Sequence, residues 1–251
     1  MSVNINIVGI HQPSYLPWLG YIHKMYASDL FILHDNVQFS KNSMYRRTFV
    51  RNDLISKSQL VVPLNKHSEY ELIKNLTICN TIKWQAKHLN KIRNSYVSSE
   101  NFKKYFPDIS DIILQSVKIE NFSNFIEFTL KSLMSLLQIK TPMVRSSNLP
   151  VSGYKTEYNI DLLKYFGAKI YLSGAGAFKY YQKVEDFNKH GISILKQEIY
   201  EFLGKDKYLQ NHKAFMNGLS VIDAIFCVGP GQTKELLEQY TVIMLSEQQN
   251  K

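Results

Sequence analysis

Cysteine is scarce in this chain of 251 residues, which has only Cys79 and Cys227. They lie far apart, with no Cys or His at metal-ligand spacing. That argues against a disulfide framework or a zinc site and leaves two buried thiols as the simplest reading. Long apolar runs are missing too. No window reaches the roughly 18 apolar residues that cross a bilayer, and the opening MSVNINIVGI has neither a basic segment nor an extended apolar one. The expectation is a cytoplasmic protein with no membrane span. A nucleophile elbow around serine, a catalytic-cysteine signature and paired metal carboxylates are all absent. Negative charge is in the minority, with 21 Asp+Glu against 30 Lys+Arg and a formal charge of +9. Such a balance favours acidic partners, among them nucleotides and acidic carrier proteins. The basic residues are dispersed, without a dense tail or a nucleic-acid motif, so nucleic acid is not the expected partner.

What is present is an ordinary globular composition, 45% hydrophobic and 20% charged, long enough to bury a full core. Asn6 to Ile10 reads as a buried strand entering the loop His11-Gln12-Pro13. Pro17 can open a helix, on which Trp18, Leu19, Ile22 and Met25 recur at helical spacing. Leu30 to Leu33 is a second apolar run, so residues 6 to 35 form a strand, helix, strand unit with parallel strands. Gln38 to Arg51 reads as a polar, basic loop, with strand candidates at Gln59 to Pro63 and Ile73 to Ile78. Helical periodicity marks Trp84 to Ser98 and Phe122 to Leu137, and the aromatic stretch between them, punctuated by Pro107, suggests an inserted helical lobe around 84 to 138. A second α/β half follows, with strands at Pro142 to Ser146, Lys169 to Leu172 and Ile192 to Gln197 and helices at Thr156 to Phe166 and Phe178 to Lys189. Helical stretches at Leu219 to Phe226 and Lys234 to Tyr240 close the chain, divided by Gly229-Pro230-Gly231. The predicted architecture is one α/β domain, a mixed and largely parallel sheet with flanking helices.

If the first two strands are neighbours, their carboxyl ends bring His11-Gln12 close to His34-Asp35-Asn36, where open α/β sheets bind ligands. His11 could act as a general base near neutral pH; a lone histidine is more often structural. Asp35 could orient it or bind substrate, or simply cap the turn after the second strand. Arg46 and Arg47, near Lys41, could hold phosphate through the guanidinium fork, or line a solvated loop. Tyr15, Trp18 and Tyr45 could offer a stacking or sugar-facing surface, although Trp18 on a helix face suits the core better. Leu172-Ser-Gly-Ala-Gly-Ala177 is a small-residue turn between strand and helix, suited to a ligand's approach, but without dinucleotide-fingerprint spacing. Ser152 to Thr156 lacks the first glycine of a phosphate loop, with Asn at 148, and reads better as a helix start capped near Thr156. His88, on the same side of its helix as Trp84, reads as packing. Ser220 and Asp223 read as helix-start residues.

The segments IVGIHQPSYLPWLGYIHKM and SDLFILHDNVQFSKNSMYRR closely resemble the WbqC-like proteins, whose usual opening is I-x-I-H-Q-P-x-[YF]-L-P-W-x-G-[YF], followed by a K-N-[SG] element. The resemblance continues through VPL at 62 to 64, W-x-x-x-H at 84 to 88, KTEYNIDLLKYFGAKIYLSGAGA at 155 to 177 and LSVIDAIFCVGP at 219 to 230. Where the family pattern continues as Q-x-R-x-R, this chain has Met44-Tyr45-Arg46-Arg47. The resemblance implies a place in O-antigen or other surface-polysaccharide biosynthesis. With the residues above, it leads to the expectation of an acyl- or aminoacyltransferase acting on the amino group of a nucleotide-linked amino sugar, the donor being a carrier-protein thioester on phosphopantetheine. No bound cofactor is expected. In that scheme His11 and Asp35 are catalytic, and Gln12, Tyr15, Trp18, Gln38, Lys41, Asn42, Arg46, Arg47, Ser173 and Gly174 bind substrate. A non-catalytic scaffold that binds a carrier or another enzyme of the same pathway is the alternative, and nucleotidyl transfer a third.

Overall fold

Strand β1 (Ile7–His11) and strand β2 (Leu30–Leu33) pair in parallel, joined by helix α1 (Leu19–Tyr26). In the computed structural model, residues 5–41, 43–53, 55–174, 183–197, 208–210, 215–239 and 242–245 are described. Pro17 does not open α1. Trp18 precedes the first helical residue and makes an isolated bridge to Ser220, while the Pro17 carbonyl accepts from Val221 N at 2.7 Å, so tertiary contacts with a distant helix delay the start.

After β2 the chain leaves the sheet. Strands β3 (Arg47–Arg51) and β4 (Lys57–Val61) form a separate antiparallel hairpin. Its turn is tied by Asp53, whose Oδ1 accepts from Ile55 N at 2.9 Å and Ser56 N at 2.8 Å, as Asp does in tight turns. The strand β3 replaces the end of the expected loop: arginines at both ends hide a short alternation in which Thr48 and Val50 turn inward. The candidate strand at 73 to 78 is instead one 3-10 turn, Ile73–Asn75, followed by the single bridges Thr77 to Asn121 and Leu64 to Ile78. No continuous partner runs beside it among the described residues. Helices α2 (Trp84–Tyr96), α3 (Phe102–Leu114) and α4 (Phe122–Leu136) supply the expected helical region. Pro107 lies within α3 without ending it.

The chain returns to the sheet through β5 (Met143–Arg145), α5 (Lys155–Tyr165), β6 (Ile170–Ser173), α6 (Val184–Asn188) and β7 (Ser193–Gln197). Tyr154, not Thr156, precedes the first helical residue of α5, and no side chain caps it. Helix α7 (Val221–Glu238) is bent at Gly229, whose φ of 83° only glycine adopts easily, and Pro230 adds no N–H to the ladder. The expected breaker is thus a kink between two abutting helical pieces. The closing strand β8 (Val242–Leu245), absent from the sequence reading, pairs antiparallel with β7.

The six-stranded sheet runs β5-β2-β1-β6-β7-β8, its first five strands parallel. This is the α/β fold with a largely parallel sheet and flanking helices that the sequence predicts. Side chains alternate along β1. Val8 and Ile10 join the apolar cluster containing Tyr158, Leu162 and Phe187. Gly9 and His11 therefore face the other side, where α1 and α7 pack together with the helices of the central region in one larger core. The direction of successive connections reverses between β1 and β6, and a crevice opens above their carboxyl ends.

Candidate active site

That crevice contains a cavity of about 270 Å³, lined by His11 and Ser14 after β1, Trp18, Gly20, Tyr21 and Lys24 from the α1 region, Met44, Arg47 and Thr48 from the hairpin, Gly174 after β6, Gln197 at the end of β7, and also Pro17 and Gly218. Its lining has two cations and no carboxylate among the described residues.

His11 stands at the end of β1 with its ring edge-on to Tyr21 at 4.7 Å. Its Nδ1 lies 3.1 Å from the Gln12 carbonyl. A carbonyl can only accept, so Nδ1 carries the proton and Nε2 keeps its lone pair. Burial, reinforced by the Lys24 ammonium, lowers the His11 pKa to about 3. The imidazole is therefore neutral at pH 7 and can accept a proton from a ligand.

Lys24 was not singled out from sequence. It is 3% exposed, and its Nζ has one described contact, 3.5 Å to the Ile10 carbonyl. Burial lowers its pKa to about 7. Gln197 also escaped notice. Its Nε2 donates to Gly20 O at 3.0 Å and to His23 Nδ1 at 2.7 Å, which leaves its oxygen as an acceptor beside the cavity. The local signals were slight. Lys24 follows Gly20 by one helical turn on a helix buried on nearly every side, and Gln197 is the polar end of an apolar strand.

The expected residues fall into three groups. His11, Trp18, Arg47 and Gly174 meet at the cavity. Gln12 and Ser173 adjoin it in sequence. Gln12 contributes its carbonyl to His11 and Tyr21, and the fully buried Ser173 turns its hydroxyl to Gly174 O at 3.3 Å. The others lie apart. Tyr15 is fully buried and bonds His88 Nδ1 at 3.1 Å, while His88 Nε2 accepts from Val61 N, so both are core residues and the packing expected of His88 holds. Gln38 and Lys41 are exposed, with Lys41 paired to Glu69 at 3.4 Å. Arg46 donates to Val62 O at 3.3 Å, and Asn42 lies outside the described residues, as do Ala175 to Ala177.

Asp35 has no described contact with His11. Its carboxylate, fully buried, is held by Arg145 from β5 at 2.6 Å and 2.7 Å, by Ser147 N at 3.0 Å, by Ser147 Oγ at 2.9 Å and by Ser146 Oγ at 3.3 Å. Every lone-pair direction of this carboxylate is engaged in fastening β2 to the segment after β5. His34, by contrast, extends the backbone ladder, its N donating to His11 O at 2.8 Å, while its buried Nδ1 has no described partner. Of the cysteines, Cys227 is buried and Cys79 only half-buried, and neither is in a disulfide. Ser220 caps α7, and the buried Asp223 bonds Tyr208 OH at 2.7 Å rather than standing at a cavity.

Among the described residues, no helix is long and apolar enough to cross a membrane. No solved structure matches the chain. A relative, the uncharacterized protein Rv1507c of Mycobacterium tuberculosis, is 24% identical over 222 residues, covering 88% of this chain and 94% of its own length. Residues 12–235 match the WbqC-like protein family. With that match spanning nearly the whole fold, including the cavity-lining residues from Ser14 to Gly218, the chain belongs to the WbqC-like protein family.

Proposed function

We propose that the protein transfers an acyl or aminoacyl group from a carrier-bound thioester to the amino group of a nucleotide-linked amino sugar, within surface-polysaccharide biosynthesis. The observation that carries this reading is the cavity at the sheet's reversal point, where a neutral His11 with Nε2 free of described contacts stands beside Lys24 and Arg47, with no carboxylate among the described lining residues. A neutral base suits a protonated amine, and a positive lining suits a diphosphate or the phosphate of phosphopantetheine.

In the reaction His11 Nε2 takes one proton from the substrate ammonium, and the free amine attacks the thioester carbonyl carbon. A C–N bond forms as the C–S bond breaks. The departing thiolate takes back the proton from His11, and the second proton lost by nitrogen goes to solvent. A thioester is already activated, so positioning and one base suffice, without a covalent intermediate on the protein. Asp35 takes no part in the step, because its partners are Arg145, Ser146 and Ser147.

The test is a mass-spectrometric screen in which the purified protein meets nucleotide-linked amino sugars and carrier protein loaded with acyl or aminoacyl groups, alongside His11→Ala. The expected result is a defined mass gain on the sugar that disappears in the variant. Carrier or sugar binding without conversion across the panel would replace this reading with a scaffold.

A further inference from the structure

Lys24 reaches the cavity by an unusual path. A Cβ on Gly9 would lie 2.5 Å from Ser28 Oγ and 3.1 Å from Lys24 Cγ, so the missing side chain on β1 leaves room for the stem of the lysine. A Cβ on Gly174 would stand 3.4 Å from Lys24 Nζ, in contact with the amine. Ser28 Oγ, donating to Lys24 O at 2.7 Å, closes the helical turn behind it. A glycine on β1 and another just after the neighbouring β6 thus bound the path of a side chain that runs from α1 across the sheet toward the crevice.

The amine arrives there without a counter-charge among the described residues. Among the described residues no carboxylate lies within ion-pair distance of it, and the titratable or charged groups around it are His11 from β1, Tyr21 and His23 from α1 and Arg47 from β3. From β6 and β7 come Gly174 and the neutral Gln197. Taking an ammonium out of water costs several kcal/mol unless a partner offsets it. A buried lysine beside a second cation and open to a cavity therefore lacks one component, and that component is negative.

We propose that Lys24 is the anion seat of the cavity, its ammonium pairing with a phosphate group of the ligand together with Arg47. The inference rests on the transferase reading for its choice of phosphate over other anions. Docking of the phosphate favours the charged form of the amine, so binding near neutral pH takes up a proton from solution. It also neutralises the cation that helps to hold His11 low, making the imidazole a stronger base once the ligand is in place.

The probe is inorganic pyrophosphate, titrated calorimetrically into the full chain at pH 7.5 in two buffers of different ionisation enthalpy. Proton uptake is expected in the wild type. In Lys24→Met affinity falls at least tenfold and the buffer dependence vanishes, whereas Lys24→Arg retains affinity without proton uptake. Lys24→Met removes a buried charge and keeps an unbranched stem, and its unchanged circular dichroism would certify the fold. If Lys24→Met binds pyrophosphate as tightly as wild type, or with the same proton uptake, the assignment is overturned. Competition then identifies the source of the phosphate: displacement by a nucleoside diphosphate assigns the seat to the acceptor, and displacement by phosphopantetheine assigns it to the donor. Displacement by neither overturns its role as a seat for a ligand phosphate. A protein that binds pyrophosphate through Lys24 but yields no product in the mass-spectrometric screen would sink the transferase reading and leave the anion seat standing.

Discussion

Two buried charges stand at the carboxyl end of the same sheet, on opposite sides of β1, in opposite circumstances. On the β2 side, Asp35 is surrounded by an arginine, two serine hydroxyls and a backbone N–H. On the β6 side, Lys24 has a single described contact, with a carbonyl, and faces a cavity. Each charge is almost wholly removed from water, but among the described residues only the first has its counter-charge. A satisfied buried charge fastens elements together, whereas an unsatisfied one keeps its binding capacity for something that arrives later.

The sharpest way to test that contrast is His11, which shares the cavity with Lys24. His11→Ala should lower turnover by about 10²- to 10⁴-fold, the usual worth of a positioned general base, while the melting temperature stays close to wild type. Equal losses of turnover and of stability would place His11 with Asp35 as a structural residue. Asp35→Ala should destabilise by about 3–5 kcal/mol, because it removes the buried carboxylate on which Arg145, Ser146 and Ser147 converge; urea denaturation reads this directly. Lys24→Met should have the opposite sign, stabilising the empty protein by about 1 kcal/mol or more, or roughly 2–4 °C in Tm. A loss of stability there would reveal a counter-charge within the protein and end the contrast.

Acid offers a milder probe. Burial first of all lowers His11 to about 3, and His23, His34 and His88 to about 4, from an ordinary value of 6.5. Between those limits the unfolded chain binds more protons than the native one, so stability rises with pH through the window. It is fully present above about 6.5 and is lost as pH falls toward 4 and then 3. The urea midpoint at pH 5 should lie below that at pH 7.5. The smallest effect belongs to Lys41→Ala, which breaks only an exposed pair with Glu69 and should change stability by less than about 0.5 kcal/mol.

The same contrast explains what could be read from the sequence. Apolar runs bounded by polar turns disclosed β1, β2, β6, β7 and the helices between them, because burial of those strands on both faces needs nothing beyond local composition. His11 and Arg47, which line the cavity, stand out in the sequence because their residue types are chemically conspicuous. Lys24 could not, since a lysine on an eight-residue helix reads as the wet side, and only the stacking of α1 between the sheet and α7 covers it. Asp35 misled for the complementary reason. Its position at the strand end was legible, but Arg145 arrives 110 residues later, and no local pattern announces that pairing. The hairpin strand β3 was masked by its own arginines, and β8 has no meaning until β7 offers it an edge.

The placement of β1 at the middle of the sheet has a consequence in time. As the chain leaves the ribosome, β1 and β2 emerge almost together, but the strand that covers the other edge of β1 is β6, roughly 150 residues further on, which at ordinary rates of synthesis means on the order of ten seconds or more. Throughout that interval the early fragment carries an open parallel edge and half of the crevice, the half bearing His11 and Lys24, with no opposite wall. An open edge of that kind invites pairing with a stray strand. Gly9 and His11, sparing in apolar surface on the face that α1 covers, make the nascent edge less adhesive than a valine-rich strand would be, so the missing side chain that leaves room for Lys24 also shelters the unfinished protein.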